Sequence, residues 1–356
     1  MKGKLFMIGV IAPSSGLVSS DINSDIEKIG YSLEQKLGKR VKFSKGCYSR
    51  YNDFLSADDY TRCADLEEMF LDDEVDLIIC LRGGYGSARI LNMIDYEIIK
   101  NNPKIFIGFS DITALNIAFN QRCGLKTFHG PMASSSKNWD KFTLDSLKKA
   151  IDFVCGYEYF SESKDVKYFC KNLVYSKDEN KNYIYENKNY EDENKNLKYK
   201  KQNFQKKNDR NLILKNPKCE KIYTLKSGVA SGEIVGGNLS VIVSLLGTDF
   251  EIDTRNKILL LEDVSEPLYK IDRMMNQLKM ARKLDRCSGI IFGDFADSVE
   301  KSEEYKLIQL FNEYVDYSGK PAIYNLQTGH CSPMITLPLG QKVTLKFDKK
   351  FAIIKD

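Results

Sequence analysis

The stretch KIFIGFSDITALNIAF, residues 104–119, places an apolar strand directly before an amphipathic helix. The strand is predicted over 105–109, and the helix over 111–121, where apolar residues recur at helical spacing. Ser110 is the residue at which the strand gives way to the helix. Units of this kind build α/β sheets, whose functional groups gather at the carboxyl ends of the strands.

The same alternation of strand and helix runs through the first half of the chain. Continuous apolar strands separated by amphipathic helices predict a parallel sheet that is covered on both faces. Ser56 is predicted to cap one of the helices, with the Asp59 carboxylate completing a capping box. The remaining predicted strands are 5–12, 41–43, 77–81 and 126–128, and the remaining helices are 25–37, 56–71 and 87–94.

The composition changes after residue 155. Residues 176–211 contain nine Lys and nine Asn, and their only aliphatic residues are Ile184 and Leu197. Such a segment buries too little apolar surface to offset its ordering entropy. We therefore predict an N-terminal α/β domain over 1–155, a linker with this insertion over 156–226, and a mixed α/β C-terminal domain over 227–356.

Composition also limits the classes of function. The net charge is +4, and the insertion, with ten basic and seven acidic residues, accounts for +3 of it. This balance gives no reason to expect a nucleic-acid partner. No stretch approaches the roughly 18 apolar residues of a membrane span. Nine scattered cysteines without a CxxC pair predict reduced thiols, a cytoplasmic location and no metal site.

Ser110 is the first candidate for chemistry. A serine between a strand and a helix is exposed where backbone N–H groups can stabilise an oxyanion. The segment is not a GxSxG elbow, because Ile112 stands where the second glycine would be. A serine that merely caps the following helix is the alternative interpretation.

LRGGYGSAR, residues 81–89, follows the strand that precedes the Ser110 strand. Adjacent glycines allow close backbone approach and leave N–H groups available for a phosphate or an oxyanion. The pattern is neither GxGxxG nor a P-loop, so it gives little support to nucleotide binding. A tight strand-to-helix turn is the alternative.

A serine nucleophile needs a base, and the base needs an orienting acid. The chain has two histidines, His129 and His330, each just after a predicted strand, and composition cannot separate them. Glu262 and Asp263 close the apolar strand 257–264. Because side chains alternate across a strand, we expect one of these two acids to face the site.

Together these segments resemble the serine LD-carboxypeptidases, the family of murein tetrapeptide carboxypeptidases and microcin C immunity peptidases. The similar segments occur in order along the chain, apart from residues 160–225. They are IAPSSG, FLSADDYTRCADLEEMF, LRGGYGSARIL, IGFSDITAL, FHGPM, GEIVGGNLSVIVSLLGT, LLLEDVSEPLYKIDRMMNQL, IIFGDF, TGH and LPLG.

The resemblance implies a catalytic triad. Ser110 would be the nucleophile, His330 in TGH the base and Glu262 in LLLED the orienting acid. The backbone N–H groups of Gly84 and Asp111 would form the oxyanion hole. His129 would then have a structural role near the site.

The resemblance also implies a fold and an activity. The fold is a flavodoxin-like parallel-sheet N-terminal domain plus a smaller mixed α/β C-terminal domain. The activity is cleavage of an L,D peptide bond that releases D-alanine from murein tetrapeptides, without a cofactor, by a cytoplasmic homodimer. Cleavage of peptidyl-nucleotide conjugates and non-catalytic ligand binding are the alternatives.

Substrate contacts are the last expectation. Arg82, Gly83 and Tyr85 are the candidates for binding the peptide. A carboxypeptidase must bind a free carboxylate, and Arg82 or Arg89 can do so through a bidentate pair. For Arg89 a surface ion pair is the more ordinary role.

Overall fold

The computed structural model describes residues 7–156, 211–217, 221–347 and 352–355. These residues form two β-sheets with helices around them. The predicted insertion, 176–211, lies outside the described residues except for Asn211, and so does most of the predicted linker, 156–226.

Five parallel strands form most of the first sheet. Their order across the sheet is β5-β4-β3-β1-β2. All residues of β1, β3, β4 and β5 are buried, which explains why β1 and β4 are apolar without alternation. The predicted parallel sheet is confirmed. The strands are β1 (Met7–Ile11), β2 (Val41–Phe43), β3 (Val75–Cys80), β4 (Ile105–Ile107) and β5 (Thr127–His129).

Three α-helices of this half, α1, α2 and α4, lie within or close to predicted helices, whereas α3 and α5 were not predicted. The Asp58 carboxylate caps the second helix by accepting a hydrogen bond from the Thr61 N–H at 2.9 Å. The predicted cap, Ser56, is wrong, because its hydroxyl instead donates to the Ala12 carbonyl at 2.5 Å. The helices are α1 (Ile22–Leu37), α2 (Asp59–Leu71), α3 (Tyr96–Asn101), α4 (Thr113–Ala118) and α5 (Lys141–Cys155).

Short helical turns replace, wholly or in part, the two helices predicted after β3 and β4. The segment predicted as helix 87–94 contains one 3₁₀ turn, Ser87–Ile90, because Ser87 forms hydrogen bonds with Asp111 on the next loop. The predicted helix 111–121 begins as a 3₁₀ turn and ends as a π turn around α4. The short turns of the whole described chain are Lys45–Tyr48, Ser87–Ile90, Ser110–Ile112, Phe119–Cys123, Ala133–Asn138 and Lys301–Glu303.

The second sheet is mixed. Its central strands β8, β9, β10 and β11 are parallel, and antiparallel strands flank them in the order β6-β14-β13-β8-β9-β10-β11-β7. Two strands lie where the sequence pattern predicted a linker. Both are edge strands, and the residues of β7 are half-buried or exposed, so its apolar pattern is weak. The strands are β6 (Asn211–Leu214), β7 (Tyr223–Lys226), β8 (Gly228–Asn238), β9 (Ile258–Val264), β10 (Gly289–Ala296), β11 (Ala322–Tyr324), β13 (Lys342–Phe347) and β14 (Ala352–Lys355).

Helices connect the parallel strands of the second sheet. Asn238 caps the first of them by accepting a hydrogen bond from the Val241 N–H at 3.1 Å. Residues 268–286 form two helices, with Arg282 in a left-handed conformation between them. The helices are α6 (Leu239–Ser244), α7 (Leu268–Met280), α8 (Lys283–Arg286) and α9 (Glu304–Ser318).

One strand from the C-terminal half joins the first sheet. Strand β12 (Leu337–Leu339) pairs antiparallel with β5, and Leu337 lies opposite His129. The chain between β11 and β12 therefore crosses from the second sheet to the first. His330 lies on this crossing, between the carboxyl ends of the two sets of parallel strands.

Candidate active site

Ser110, His330 and Glu262 form a continuous chain of hydrogen bonds. His330 Nε2 lies 3.0 Å from Ser110 Oγ, and His330 Nδ1 lies 2.8 Å from Glu262 Oε2. An ionised carboxylate only accepts hydrogen bonds, so Nδ1 donates to Glu262 and Nε2 accepts from the serine hydroxyl. The structure thus brings together three residues that come from both halves of the chain.

Ser110 has an unusual backbone conformation. Its φ of 59° lies in the left-handed region, which is uncommon for a residue with a side chain. Two glycines leave room for this turn. A Cβ at Gly108 would lie 2.7 Å from Ile112, and one at Gly83 would lie 2.9 Å from the Ser110 Cβ. The turn presents the hydroxyl to His330, as a nucleophile elbow does.

Glu262 is the acid that faces the site. Its side chain is fully buried, and Gly293 and Gly329 make room for it, since a Cβ at Gly329 would lie 2.5 Å from Glu262 Oε2. Asp263 points the other way, as alternation along β9 requires. The Asp263 carboxylate accepts hydrogen bonds from Asn238 at 3.0 Å and from the Ser240 hydroxyl at 2.7 Å.

The charges around His330 favour its protonated form. Burial lowers the pKa of His330, but the hydrogen bond to Glu262 and the charges of Glu262, Asp263 and Asp294 outweigh burial. The pKa of His330 therefore lies above its ordinary value of 6.5. Burial also raises the pKa of Glu262, while His330 opposes that rise. This pairing lets His330 take up a proton.

His129 is not placed to act as the base. It is fully buried, and neither ring nitrogen has a hydrogen-bond partner among the described residues. Burial, with a smaller contribution from His330, lowers the pKa of His129 to about 3. The Phe109 ring lies edge-on to both imidazoles, 5.6 Å from His129 and 4.9 Å from His330. His129 is therefore a neutral packing residue.

The turn after β3 lies directly against the serine. A Cβ at Gly83 would be 3.4 Å from the Asp111 nitrogen, and Gly84 has a φ of 107°. Asp111 is in the first turn of its helix, where N–H groups lack an intrahelical acceptor. Within the described part of the chain, no acceptor faces the Gly84 N–H or the Asp111 N–H.

Arg82 and Arg89 differ in how they are engaged. The Arg89 guanidinium makes a bidentate pair with the Asp59 carboxylate, with contacts of 2.9 and 3.0 Å. Arg82 donates to the Gly16 carbonyl at 3.2 Å, and its Nη2 lies 3.9 Å from the position of a Cβ on Gly84. Arg82 is thus the cation beside the turn.

An aromatic pair borders the same turn. The Tyr85 and Phe54 ring centroids are 5.8 Å apart, and the two residues are 53 % and 47 % exposed. Phe54 had no role in the sequence-based predictions. Ser14, Ser15 and Ser87, which contact this turn or Asp111, were also missed, although Ser14 and Ser15 belong to the PSSG segment after β1.

Among the described residues, no group of three or more His, Cys, Asp or Glu side chains is placed to hold a metal ion. No helix in the described ranges has the length and apolar character needed to cross a membrane.

The fold and the site together define a class. A serine on a strained turn, a histidine and a buried carboxylate in a hydrogen-bonded chain are the arrangement that serine hydrolases use on several folds. The site lies at the carboxyl ends of parallel strands, where α/β proteins place their functional groups.

The chain belongs to the LD-carboxypeptidase family. Residues 8–130 match the LD-carboxypeptidase N-terminal domain, and residues 231–345 match the LD-carboxypeptidase C-terminal domain. The family and fold expected from the motifs are therefore confirmed.

The known proteins that are similar to this chain include a probable murein peptide carboxypeptidase and a microcin self-immunity protein. A probable murein peptide carboxypeptidase of Bacillus subtilis (strain 168) is 37 % identical over 353 residues, which cover 98 % of this chain and 91 % of the relative. The microcin C7 self-immunity protein MccF of Escherichia coli is 29 % identical over 295 residues, or 81 % of this chain and 76 % of the relative.

Solved structures show the same fold. An MccF-like protein from Bacillus anthracis superposes with a TM-score of 0.73 at 25 % identity, covering 99 % of this chain and 97 % of the other. A muramoyltetrapeptide carboxypeptidase from Oxalobacter formigenes gives a TM-score of 0.69 at 20 % identity, covering 98 % of this chain and 97 % of the other.

Proposed function

We propose that this protein is a serine LD-carboxypeptidase that releases the terminal D-alanine from murein tetrapeptides. The observation that carries the proposal is the hydrogen-bonded chain from Ser110 through His330 to Glu262. The 37 % identity to a probable murein peptide carboxypeptidase supports the substrate class.

The first step is acylation of Ser110. As the Ser110 oxygen attacks the carbonyl carbon of the L,D bond, its proton passes to His330 Nε2. Glu262 keeps the proton of the imidazole on Nδ1, so Nε2 is free to accept, and its negative charge stabilises the imidazolium that forms. General-base catalysis of this kind contributes about 10²–10⁴-fold.

The second requirement is to stabilise the negative charge that develops on the oxygen of the attacked carbonyl group. We assign the Gly84 and Asp111 N–H groups as the oxyanion hole, because both lie at the Ser110 turn and lack acceptors among the described residues. Fixed donors stabilise the tetrahedral intermediate without reorganisation at the moment of reaction.

Product release completes the cycle. His330 gives its proton to the departing amine, so D-alanine leaves as the C–N bond breaks. A water molecule then attacks the acyl-enzyme and transfers a proton to His330, which returns that proton to Ser110 Oγ as the ester bond breaks. The raised pKa of His330 suits this alternation between base and acid.

Arg82 is our candidate for binding the terminal carboxylate. It lies beside the Gly84 turn, whereas Arg89 is already paired with Asp59. Gly83 permits close approach of the peptide to Ser110, and Tyr85 borders the entrance. Arg82→Gln should raise KM for the tetrapeptide much more than Arg89→Gln does, since only Arg82 would contact substrate.

The proposal is tested by incubating the protein with a murein tetrapeptide and measuring free D-alanine. Release by the native protein and loss in Ser110→Ala are expected, with Ser244→Ala, at an exposed position of α6, as the matched control. A fluorophosphonate probe should label Ser110. Full activity of Ser110→Ala, or tight ligand binding without any turnover, would refute the enzymatic proposal.

Cleavage of peptidyl-nucleotide conjugates is the second candidate. Two observations favour it: the 29 % identity to the microcin C7 self-immunity protein, and the exposed pair Phe54 and Tyr85, whose rings offer faces for a nucleobase. Competing the two substrates in one reaction decides between them. A higher kcat/KM for the conjugate, lost in Phe54→Ala, would favour this candidate.

We further propose a cytoplasmic location and a homodimer. None of the seven cysteines in the described ranges is in a disulfide, and six of them are buried, as in a reducing compartment. The homodimer rests on the family resemblance alone. Light scattering on the purified protein measures its mass, and a monomer at micromolar concentration would contradict the dimer.

A further inference from the structure

Four polar side chains around the Ser110 turn have no part in the proposed chemistry. They are the side chains of Ser14, Ser15, Ser87 and Asp111, each at most 9 % exposed. We propose that they form a clamp of positioning residues that holds the Gly84 and Asp111 N–H groups in register. The inference rests on the proposed function and adds residues that act through the oxyanion hole.

The Asp111 carboxylate connects three loops. One of its oxygens, Oδ2, accepts hydrogen bonds from the Ser14 hydroxyl at 2.5 Å and from the Ser87 N–H at 2.8 Å. The Ser87 hydroxyl in turn donates to the Asp111 carbonyl at 2.5 Å. Ser14 follows β1, Ser87 follows β3 and Asp111 follows β4, so the clamp joins three neighbouring strand ends.

Ser15 holds the glycine turn from both sides. Its N–H donates to the Gly83 carbonyl at 3.3 Å, and its hydroxyl accepts from the Tyr85 N–H at 3.1 Å. Gly84 lies between these two contacts. A Cβ on Gly84 would lie 2.3 Å from the Ser15 hydroxyl, so the serine and the turn are in close contact.

The physical reason for such a clamp is preorganisation. Oxyanion donors accelerate a reaction because they are already oriented when charge develops. Loops at the carboxyl ends of strands are otherwise mobile, so the donors need other groups to hold them. Neither donor has a backbone acceptor to fix it within the described chain. The hydrogen bonds of Ser15 therefore fix the peptide unit that carries the Gly84 N–H and the peptide unit after it, and the hydroxyl of Ser87 fixes the peptide unit that follows Asp111.

Buried hydrogen bonds of this kind also stabilise a fold, so the test needs a matched control. Ser56 provides it. Ser56 is fully buried and its hydroxyl donates to the Ala12 carbonyl at 2.5 Å, on the same β1 loop, but it has no hydrogen bond to the glycine turn or to Asp111. Ser56→Ala removes the same group at a neighbouring place.

The experiment compares Ser14→Ala, Ser15→Ala and Ser56→Ala in the full-length protein. We expect Ser14→Ala and Ser15→Ala to lower kcat about tenfold each with KM unchanged, part of the about 10²–10³-fold cost of losing one oxyanion donor. The acidic limb of the pH–rate profile should not move, because His330 and Glu262 are untouched. Ser56→Ala should keep the native kcat.

A fluorophosphonate separates this inference from the proposed function. Its phosphoryl oxygen occupies the oxyanion hole while Ser110 attacks, and no peptide is needed. No labelling of native Ser110 would refute the proposed function itself. Native labelling with equal rates in Ser14→Ala and Ser15→Ala would refute the clamp alone. Equal loss in all three variants would also refute it, because the effect would then follow stability.

Discussion

Replacing Glu262 with glutamine tests the central contact of the site. The carboxylate lies 2.8 Å from His330 Nδ1 and is fully buried, so solvent cannot replace it. Glutamine keeps the size of the side chain and removes its charge. Gly293 and Gly329 pack against Glu262, so the amide has little room to turn away.

The expected loss has two parts. At about 4 Å between charge centres and an effective dielectric constant of about 20, a carboxylate stabilises an imidazolium by about 4 kcal/mol. Loss of that attraction lowers kcat by about 10³-fold. If the amide NH₂ donates to Nδ1, the ring proton moves to Nε2, which then no longer accepts from Ser110. The wrong tautomer brings the expected total to about 10⁴-fold.

The assay measures kcat for D-alanine release and, separately, the rate at which a fluorophosphonate labels Ser110. The matched control is Glu233→Gln. It makes the same change at the ion pair between Glu233 on β8 and Lys257, which directly precedes β9. The control should keep native activity. A Glu262→Gln variant with more than about a tenth of native kcat would refute the role that the structure indicates for this contact.

Three further predictions concern the histidines and the glycine turn. Because His330 must be neutral to act as a base and its pKa lies above 6.5, kcat/KM should fall with decreasing pH along a limb centred above 6.5; a limb below that value would contradict the pairing with Glu262. The pKa of His129 is about 3 in the folded protein. As the pH falls below 6.5, His129 therefore binds a proton in the unfolded chain but not in the folded chain, so acid lowers the free energy of unfolding. His129→Phe should make the urea midpoint less sensitive to acid, and an unchanged sensitivity would show that His129 titrates normally. Gly83→Ala places a Cβ 3.1 Å from Ser110 Oγ and should slow fluorophosphonate labelling at least about tenfold, whereas native-like labelling would mean that the turn moves aside.

Local patterns predicted the elements that carry the site. Buried strands such as β1 and β4 are apolar without interruption, and Ser110 stands at a strand-to-helix junction that the sequence shows directly. The edge strand β7 was missed, because its residues are half-buried or exposed and their pattern is weak. The cap of α2 was misplaced by two residues, since Ser56 and Asp58 are both good cap formers.

The sequence alone could not decide which of two similar side chains belongs to the site, and the tertiary structure was needed to decide it. Alternation along β9 implied that only one of Glu262 and Asp263 faces the site, but not which one. The structure decides this through the packing of β9, which puts Glu262 beside His330 and Asp263 beside α6. His129 and His330 both lie at predicted strand ends, and the structure distinguishes them. His129 is fully buried with no hydrogen-bond partner for its ring among the described residues, whereas His330, the proposed base, contacts Ser110 and Glu262.

The sequence by itself determined the parallel sheet, the position of Ser110 at its edge and, through the motifs, the family. These follow from local periodicity and local segments, which need no knowledge of distant residues. Only the tertiary structure decided which side chains meet. Ser110 and His330 are 220 residues apart, and they come together because β12 returns the chain to the first sheet. The clamp around Asp111 likewise depends on the order of strands across that sheet, a property that no single segment encodes.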